Sequence, residues 1–422
     1  MRSRKRDSWV RPTSGRNRRS SSGIRAGRVV AVLVVVVLIL GGLATVQLVR
    51  AVPKPTLVRT TSFPSSIPGT AVNLPWPSQG SGIAVVPGVG VLGSFGANQQ
   101  YPIASLAKMM TVYLTVLAHP ISLGQSGPSL TLTQADYNTY LQDLAAVDSV
   151  MAVAPGETLT EYQLLEAMLL PSADNIATTV AIWDAGSVSA FVARMNAEAK
   201  KLGMDHTTYT DPSGVASTTV STPSDQLILA RLVESNPVLA QIMALPQATL
   251  PVAGVVYNVN YDLGQDGIVG VKTGSTPSGG DFAFDANVTT SFGKDSVIGV
   301  VLGQIGTAPL ISALNVGKTI AASAGAIPTM KTVVTKGERI GRLVSASGKS
   351  VSVVASAAVT VQAWPGLAVS TVTSLKKLHY PVPGGTVVGH LRVSVGEQTQ
   401  SVALVTAGRL AAPTLSWRLL RL

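Results

Sequence analysis

Three short stretches of this chain hold side chains whose types and spacing could do chemistry. In IASLAKMM (103–110), Ser105 and Lys108 stand three apart at the opening of an apolar helical run, and positions three apart share a helix face. A serine hydroxyl is a poor nucleophile until a base takes its proton, and a desolvated lysine can be that base. The plainer alternative is that Ser105 caps the helix while Lys108 reaches to water. Ser-x-x-Lys occurs three times, but Ser291/Lys294 sits in a polar turn and Ser374/Lys377 in a solvated lysine pair. In VKTGST (271–276), Lys272 and Thr273 end a strand-like run and offer a charge and a hydroxyl to a carboxylate, while Gly274 permits close approach to the strand. LLPSADNIA (169–177) is a helix break carrying Ser172, Asp174 and Asn175, residue types that also cap helices. Two lysines meeting in one cleft would disfavour each other's charge and leave a neutral amine able to act as base.

These stretches need elements to hold them together. GIAVVPGVGVLGSFG reads as a β-hairpin around Gly88 and Gly90. Helical segments are expected at 105–118, 161–170, 174–184, 188–202 and 225–235, the fourth stopped by Gly203. Strand-like runs follow at 252–260, 268–273, 281–289 and 296–303, then a helix over 308–323. Strand, many helices, then successive strands predict an α+β fold with helices packed on one antiparallel sheet. After Pro328, short alternating segments broken by Gly and Pro predict a small all-β domain.

Charge and composition limit the function classes. The formal charge is +11, but residues 1–28 hold ten of the 32 Lys and Arg and one of the 21 acids. The remaining chain is nearly balanced, so the charge belongs to a disordered-looking tail and not to a nucleic-acid-binding body. Residues 29–46, VVAVLVVVVLILGGLATV, carry no charge; at about 1.5 Å per residue they just span a bilayer core roughly 30 Å thick. The run is longer than the apolar part of a signal peptide and QLVRAVPKP offers no clear cleavage site. An uncleaved single-pass anchor is expected, with the arginines cytoplasmic and the body outside. Residues 51–80, with six prolines among Ser and Thr, predict an extended spacer. The absence of cysteine excludes disulfides and thiolate chemistry. Four scattered histidines make neither a metal site nor a serine–histidine triad, so no metal or cofactor is expected.

Taken in order, Ser-x-x-Lys, the Ser172 break and Lys-Thr-Gly match the element set of penicillin-binding proteins and class A β-lactamases. The chain resembles the low-molecular-weight penicillin-binding proteins, the serine-type D-alanyl-D-alanine carboxypeptidases (peptidase S11-like). PIASLAKMMT, PGETLTEYQLLEAMLLPSADNIA, FVARMNAEAKKLGM, TYTDPSGVAS, STPSDQLILAR and GVKTGSTPSGG carry the likeness over roughly 80–325, with a looser likeness after 328. The resemblance implies a β-lactamase/transpeptidase-like catalytic domain at 80–327 and a β-sandwich-like domain at 328–422. They would follow a basic tail (1–28), an anchor (29–48) and a linker (49–79). It also implies roles. Ser105 would attack the carbonyl between the two D-alanines of a peptidoglycan stem peptide and form an acyl-enzyme, or be acylated by a β-lactam. Lys108 would be the base, Ser172 a proton relay to the leaving amine, and Lys272 with Thr273 the carboxylate clamp beside Gly274. The N–H groups of Ser105 and Ser275 would form the oxyanion hole.

One position departs from the family pattern. Asp174 stands where Asn is usual, and an ionised Asp only accepts hydrogen bonds and favours a protonated lysine nearby. Asp174 is then tolerated by pairing with a lysine, or Asn175 substitutes for it, or activity is weakened. The competing functions are a β-lactamase, for which no Glu-x-x-x-Asn setting appears between 185 and 268, a peptidoglycan endopeptidase, and a non-catalytic wall-binding relative.

Overall fold

The computed structural model describes residues 22–277 and 279–421, with the side chains of 22–26 left aside. Most of the tail therefore lies outside the described residues, but its last part does not: α1 runs Ser22–Val49, starting seven residues before the uncharged run. Helix continues back through Ile24, Ala26 and Gly27 because nothing there breaks it. Within it, Gly27–Val49 is long and apolar enough to cross a membrane, and none of its most apolar window is buried against the rest of the molecule.

The body is organised on a five-stranded antiparallel sheet. Its order is Ile268–Thr276, Gly279–Thr290, Gly293–Gln304, Ser81–Val86, Gly90–Phe95. Both faces are covered, and alternation along one strand shows how. Phe282, Phe284 and Ala286 belong to the apolar cluster that contains Ala313, Leu314 and Ile320 of α9 (Pro309–Ala324). Ala283, between them, belongs to the opposite cluster. Gly317 lets α9 settle on the aromatics, since a Cβ there would meet Phe282 at 2.6 Å. The opposite cluster is built around α2 (Ala107–Ala118), whose residues are nearly all buried. Against it pack α4 (Glu161–Leu169), α5 (Asp174–Ala185), α6 (Val188–Lys201), α7 (Pro223–Ser235) and α8 (Pro237–Met243).

Between 80 and 327 the helices fall within a few residues of the expected spans, with two additions. α3 (Gln134–Ala145) buries no residue, so no apolar period announces it; its signal is the capping box of Thr133 with Asp136. α8 starts at Asn236 as N-cap with Pro237 in its first turn. The expected strand over 252–260 is not one strand. Gln247–Leu250 and Gly254–Tyr257 form a separate hairpin, turned at Pro251, which lacks an N–H, and at Gly254 with φ +69°.

After 328 the chain supplies five strands of a six-stranded antiparallel sheet and both strands of a two-stranded one, in keeping with the alternation. The spacer reading of 49–79 needs correction. Thr56–Arg59 is an edge strand of the six-stranded sheet, paired with Gly341–Val344. Ile67 N donates to Leu367 O, and Ile67 and Leu74 are buried. The prolines keep this segment extended, and its scattered apolar residues then fill positions on the body. A short helix, α10 (Leu415–Leu420), was not expected; beyond it, Arg421 donates to Gln47 O at the end of α1 (2.9 Å).

Candidate active site

The IASLAKMM serine does not cap its helix. Ala104–Leu106 form a single 3₁₀ turn leading into α2, and neither that turn nor α2 has a side-chain cap. Ala104 carries φ +44°, a costly conformation for a residue with a Cβ. Nor does Lys108 reach water. It is completely buried, with Nζ 2.9 Å from Ser105 Oγ, 2.5 Å from Asp174 Oδ1 and 3.0 Å from Ser213 O.

The second motif turns between α4 and α5. Ser172 has φ +64° and is buried, and its Oγ lies 2.9 Å from Lys272 Nζ. The α5 cap position is Ala173, so Ser172 is not the helix cap either. Asp174, the first residue of α5, accepts Ser149 N–H at Oδ2 (3.0 Å) in addition to its bond with Lys108. Asn175 exchanges two hydrogen bonds of 3.0 Å with the backbone of Met151. The idea that Asn175 takes the place of Asp174 is therefore not met: Asn175 secures the neighbouring loop, and Asp174 itself meets the lysine.

Lys272 sits in the edge strand of the central sheet, 2 % exposed, and also donates to Thr273 O (3.2 Å). Burial first, then the positive charge of Lys108, hold its pKa well below the ordinary lysine value, against an opposing pull from Asp174. The mutual discouragement of two lysines thus shows at Lys272. Gly274 provides room, but part of that room is taken by the nucleophile's own turn. A Cβ there would lie 3.0 Å from Ile103 O and 3.1 Å from the Ala104 side chain.

The TYTDPSGVAS stretch is a third contributor to the site geometry, one that carries no reactive pair of its own in the sequence. The Asp211 carboxylate accepts from Ser213 Oγ (2.8 Å), Gly214 N (2.6 Å), Val215 N (3.0 Å) and Thr219 Oγ1, which closes the 211–219 loop on itself. That loop supplies Ser213 O to Lys108. Gly214, at φ +88°, comes so close to Ala104 that a Cβ would overlap its carbonyl oxygen. An Asp-Pro-Ser-Gly turn was the available signal.

A cavity of about 350 Å³ opens beside Ser105, lined by Ala146–Ser149, Asp174, Gly214, Val215 and Ser275–Pro277. Lys272 and Thr273 lie beneath the surface, both buried. A larger hollow of about 590 Å³ near Asp266 and α9 contains none of these groups. Among the described residues no His, Asp and Glu cluster could hold a metal.

Helices packed on an antiparallel sheet, with Ser105–Lys108 and Ser172–Lys272 converging at its edge strand, place the chain in the penicillin-binding, transpeptidase-like fold class. Penicillin-binding protein 5 of Haemophilus influenzae superposes with a TM-score of 0.56 at 21 % identity, covering 80 % of this chain and 99 % of that one. The Streptomyces K15 DD-transpeptidase gives 0.52 at 25 %, covering 60 % and 100 %. Residues 88–306, just over half the chain, match the peptidase S11 family, D-alanyl-D-alanine carboxypeptidase, and the chain belongs to it. It is 37 % identical over 158 residues to the D-alanyl-D-alanine carboxypeptidase DacB2 of Mycobacterium tuberculosis, over 35 % of this chain and 54 % of that one. It is 30 % identical over 174 residues to a D-alanyl-D-alanine endopeptidase of Pseudomonas aeruginosa, over 41 % and 52 %. The chain thus spans about half the length of these curated relatives.

Proposed function

We propose that the protein is a membrane-anchored serine D-alanyl-D-alanine carboxypeptidase that trims the terminal D-alanine from peptidoglycan stem peptides and is acylated by β-lactams. The observation that carries this reading is the 2.9 Å approach of Ser105 Oγ to the buried amine of Lys108, beside a second serine–lysine pair. In this mechanism Lys108 takes the Ser105 proton as Oγ attacks the penultimate carbonyl. The oxyanion is held by the N–H groups of Ser105 and Ser275, donors worth several kcal/mol in such a site. Lys272 and Thr273 hold the terminal carboxylate. A proton passes through Ser172 to the nitrogen of the departing D-alanine. Lys108 then activates the water that hydrolyses the ester and frees Ser105. The body, 80–327 for catalysis and 328–422 as a β-domain, stands outside the membrane with residues 1–28 in the cytoplasm.

The same cleft serves an endopeptidase, and two of the relatives carry that name. A β-lactamase reading is less favoured because no glutamate lines the cavity to drive deacylation. The test is to incubate the full chain in detergent with a labelled penicillin and with a peptide ending in D-Ala-D-Ala. Stable label and D-alanine release, both lost in Ser105→Ala, are expected. Rapid penicillin turnover would reassign it as a β-lactamase, and no label at all would remove catalysis.

A further inference from the structure

The chain after residue 28 is close to neutral only because two opposite charges cancel. Residues 80–327 hold eight Lys or Arg against eighteen acids, and 328–422 hold eleven against two. Within the second set the charges are sorted along the six-stranded sheet. Both acids lie at the end nearer the catalytic domain. Glu338, with Lys336 and Arg339 beside it, accepts Thr335 N–H (2.8 Å). Glu397, in the turn before Gln398–Thr406, is taken up by Arg231 of α7.

The other end is basic throughout. Thr56 pairs with Val344, and Val344 with Ser350 across the hairpin that carries Lys349. Ala407 N–H reaches Ser352 O (2.9 Å), which brings Arg409 to the same end. Lys376 N–H reaches Val388 O (2.9 Å), and Tyr380 Oη accepts Ala346 N–H (3.1 Å), so Lys376 and Lys377 stand there too. All four cations are exposed, and none has an ion pair among the described residues. The stretches that carry them, 345–350, 376–386 and 407–422, contain no Asp or Glu. Like charges gathered on one surface repel, and an anionic surface relieves that repulsion.

This basic end also meets the apolar helix. Arg418 donates to Leu48 O and Arg421 to Gln47 O (2.9 Å) at the end of α1. Two further exposed cations, Arg50 and Lys54, follow at once. Only residues 50–55 separate α1 from the strand Thr56–Arg59, a reach of at most about 25 Å. A membrane crossed by α1 therefore lies beside the cations, close to the distance of roughly 8–10 Å over which a charged surface is felt in physiological salt.

We propose that this end of the β-domain is a docking surface for anionic phospholipid headgroups of the membrane that holds α1, which seats the body on the bilayer and turns the acidic catalytic domain away from it. The docking surface rests on the anchor reading above and adds a partner to it. Its test uses the full chain reconstituted in vesicles of phosphatidylcholine, alone or mixed with phosphatidylglycerol. The chain has no cysteine, so Ser350→Cys, at an exposed position beside Lys349, carries a single neutral dye. A spin label on the headgroups of both leaflets quenches the dye when the body is seated, whichever way the chain inserts.

Stronger quenching in the vesicles with phosphatidylglycerol is expected, fading in high salt. Lys349→Gln, Lys376→Gln and Lys377→Gln together should lower the seated-to-lifted ratio by roughly fivefold for each charge removed, while arginine at the same three positions should keep it. Equal quenching in the two vesicles, or a difference that survives the three glutamines, overturns the docking surface and leaves the anchor intact. Equal quenching with tight binding of soluble polyphosphate overturns the lipid as partner in favour of a phosphate polymer. Release of the protein from the vesicles by alkaline carbonate overturns the anchor reading and the seating with it.

Discussion

Lys108 has three partners, and their chemistry suits a base. Asp174 Oδ1 and Ser213 O can only accept, whereas Ser105 Oγ can accept or donate. A protonated Lys108 donates to all three. A neutral one keeps its bonds to the carboxylate and the carbonyl and turns its lone pair to the serine hydroxyl. Proton transfer from Ser105 therefore breaks no other contact. Asp174 fits this scheme as the carboxylate that offsets the charge formed on Lys108. Asp174→Asn is accordingly expected to keep or raise the rate of penicillin acylation. It should also cost stability, because Lys108 loses its buried counter-charge and Ser149 N–H must share an acceptor. Label incorporation per folded molecule checks it; loss of acylation with the fold intact would make Asp174 indispensable to the site. The residue types of Ser105, Lys108, Ser172 and Lys272 were readable in the chain. The partner of Asp174 was not, since pairing with a lysine and replacement by Asn175 were both compatible with the letters, and only the position of Ser149 and Met151 across from α5 separates the two.

The elements that carry these residues show where the pattern was readable and where it was not. α2, α4 and α7 are apolar and periodic, and the central strands alternate between two buried faces, so their existence follows from composition and spacing. α3 and the 211–219 loop are polar and owe their form to side-chain-to-backbone bonds, which periodicity does not register. Asp281 belongs to neither kind. It lies on the strand Gly279–Thr290, opposite Gly274, fully buried, with its Oδ1 on Gly303 N–H (2.9 Å). Burial pushes its pKa from 3.8 up to about 7. A carboxyl raised on folding stabilises the native state fully below its unfolded pKa, and that stability is lost as pH rises through 7. The displacement corresponds to roughly 4 kcal/mol in the alkaline range. Asp281→Asn, which keeps the acceptor for Gly303 and cannot ionise, should be more stable than the parent at pH 8 by up to about that amount and nearly equal to it at pH 4. Denaturant unfolding at the two pH values checks this; an equal difference at both would show that Asp281 does not titrate on this scale.

At the scale of the whole molecule, the segment before residue 80 joins the two sheets into one body. Thr56–Arg59 closes an edge of the six-stranded sheet, Ile67 and Leu74 are buried, and a Cβ on Gly82 would strike Trp76 at 2.7 Å. A soluble form that begins at residue 52 should therefore be more stable than one that begins at 80. Two buried aliphatic side chains are worth about 1.5–3 kcal/mol each, which amounts to a fall in Tm of about 4–8 °C for a body of this size. Equal melting temperatures for the two forms would return 52–79 to the status of a spacer. From the other end, Arg231 of α7 pairs with Glu397 of the C-terminal region in a two-point contact of 2.9 and 3.1 Å.

The chain by itself determined the helices and strands with apolar period, the apolar N-terminal helix, and the order of the three motifs, because each of these depends on residues near one another in sequence. Tertiary structure alone decided which lysine meets Asp174, that the proline-rich segment is part of the body, and that Asp148 lines the cavity beside Ser105. Each of those depends on groups tens to hundreds of residues apart. Their meeting is set by how the sheet, the helices and the loops pack, and no local pattern records it.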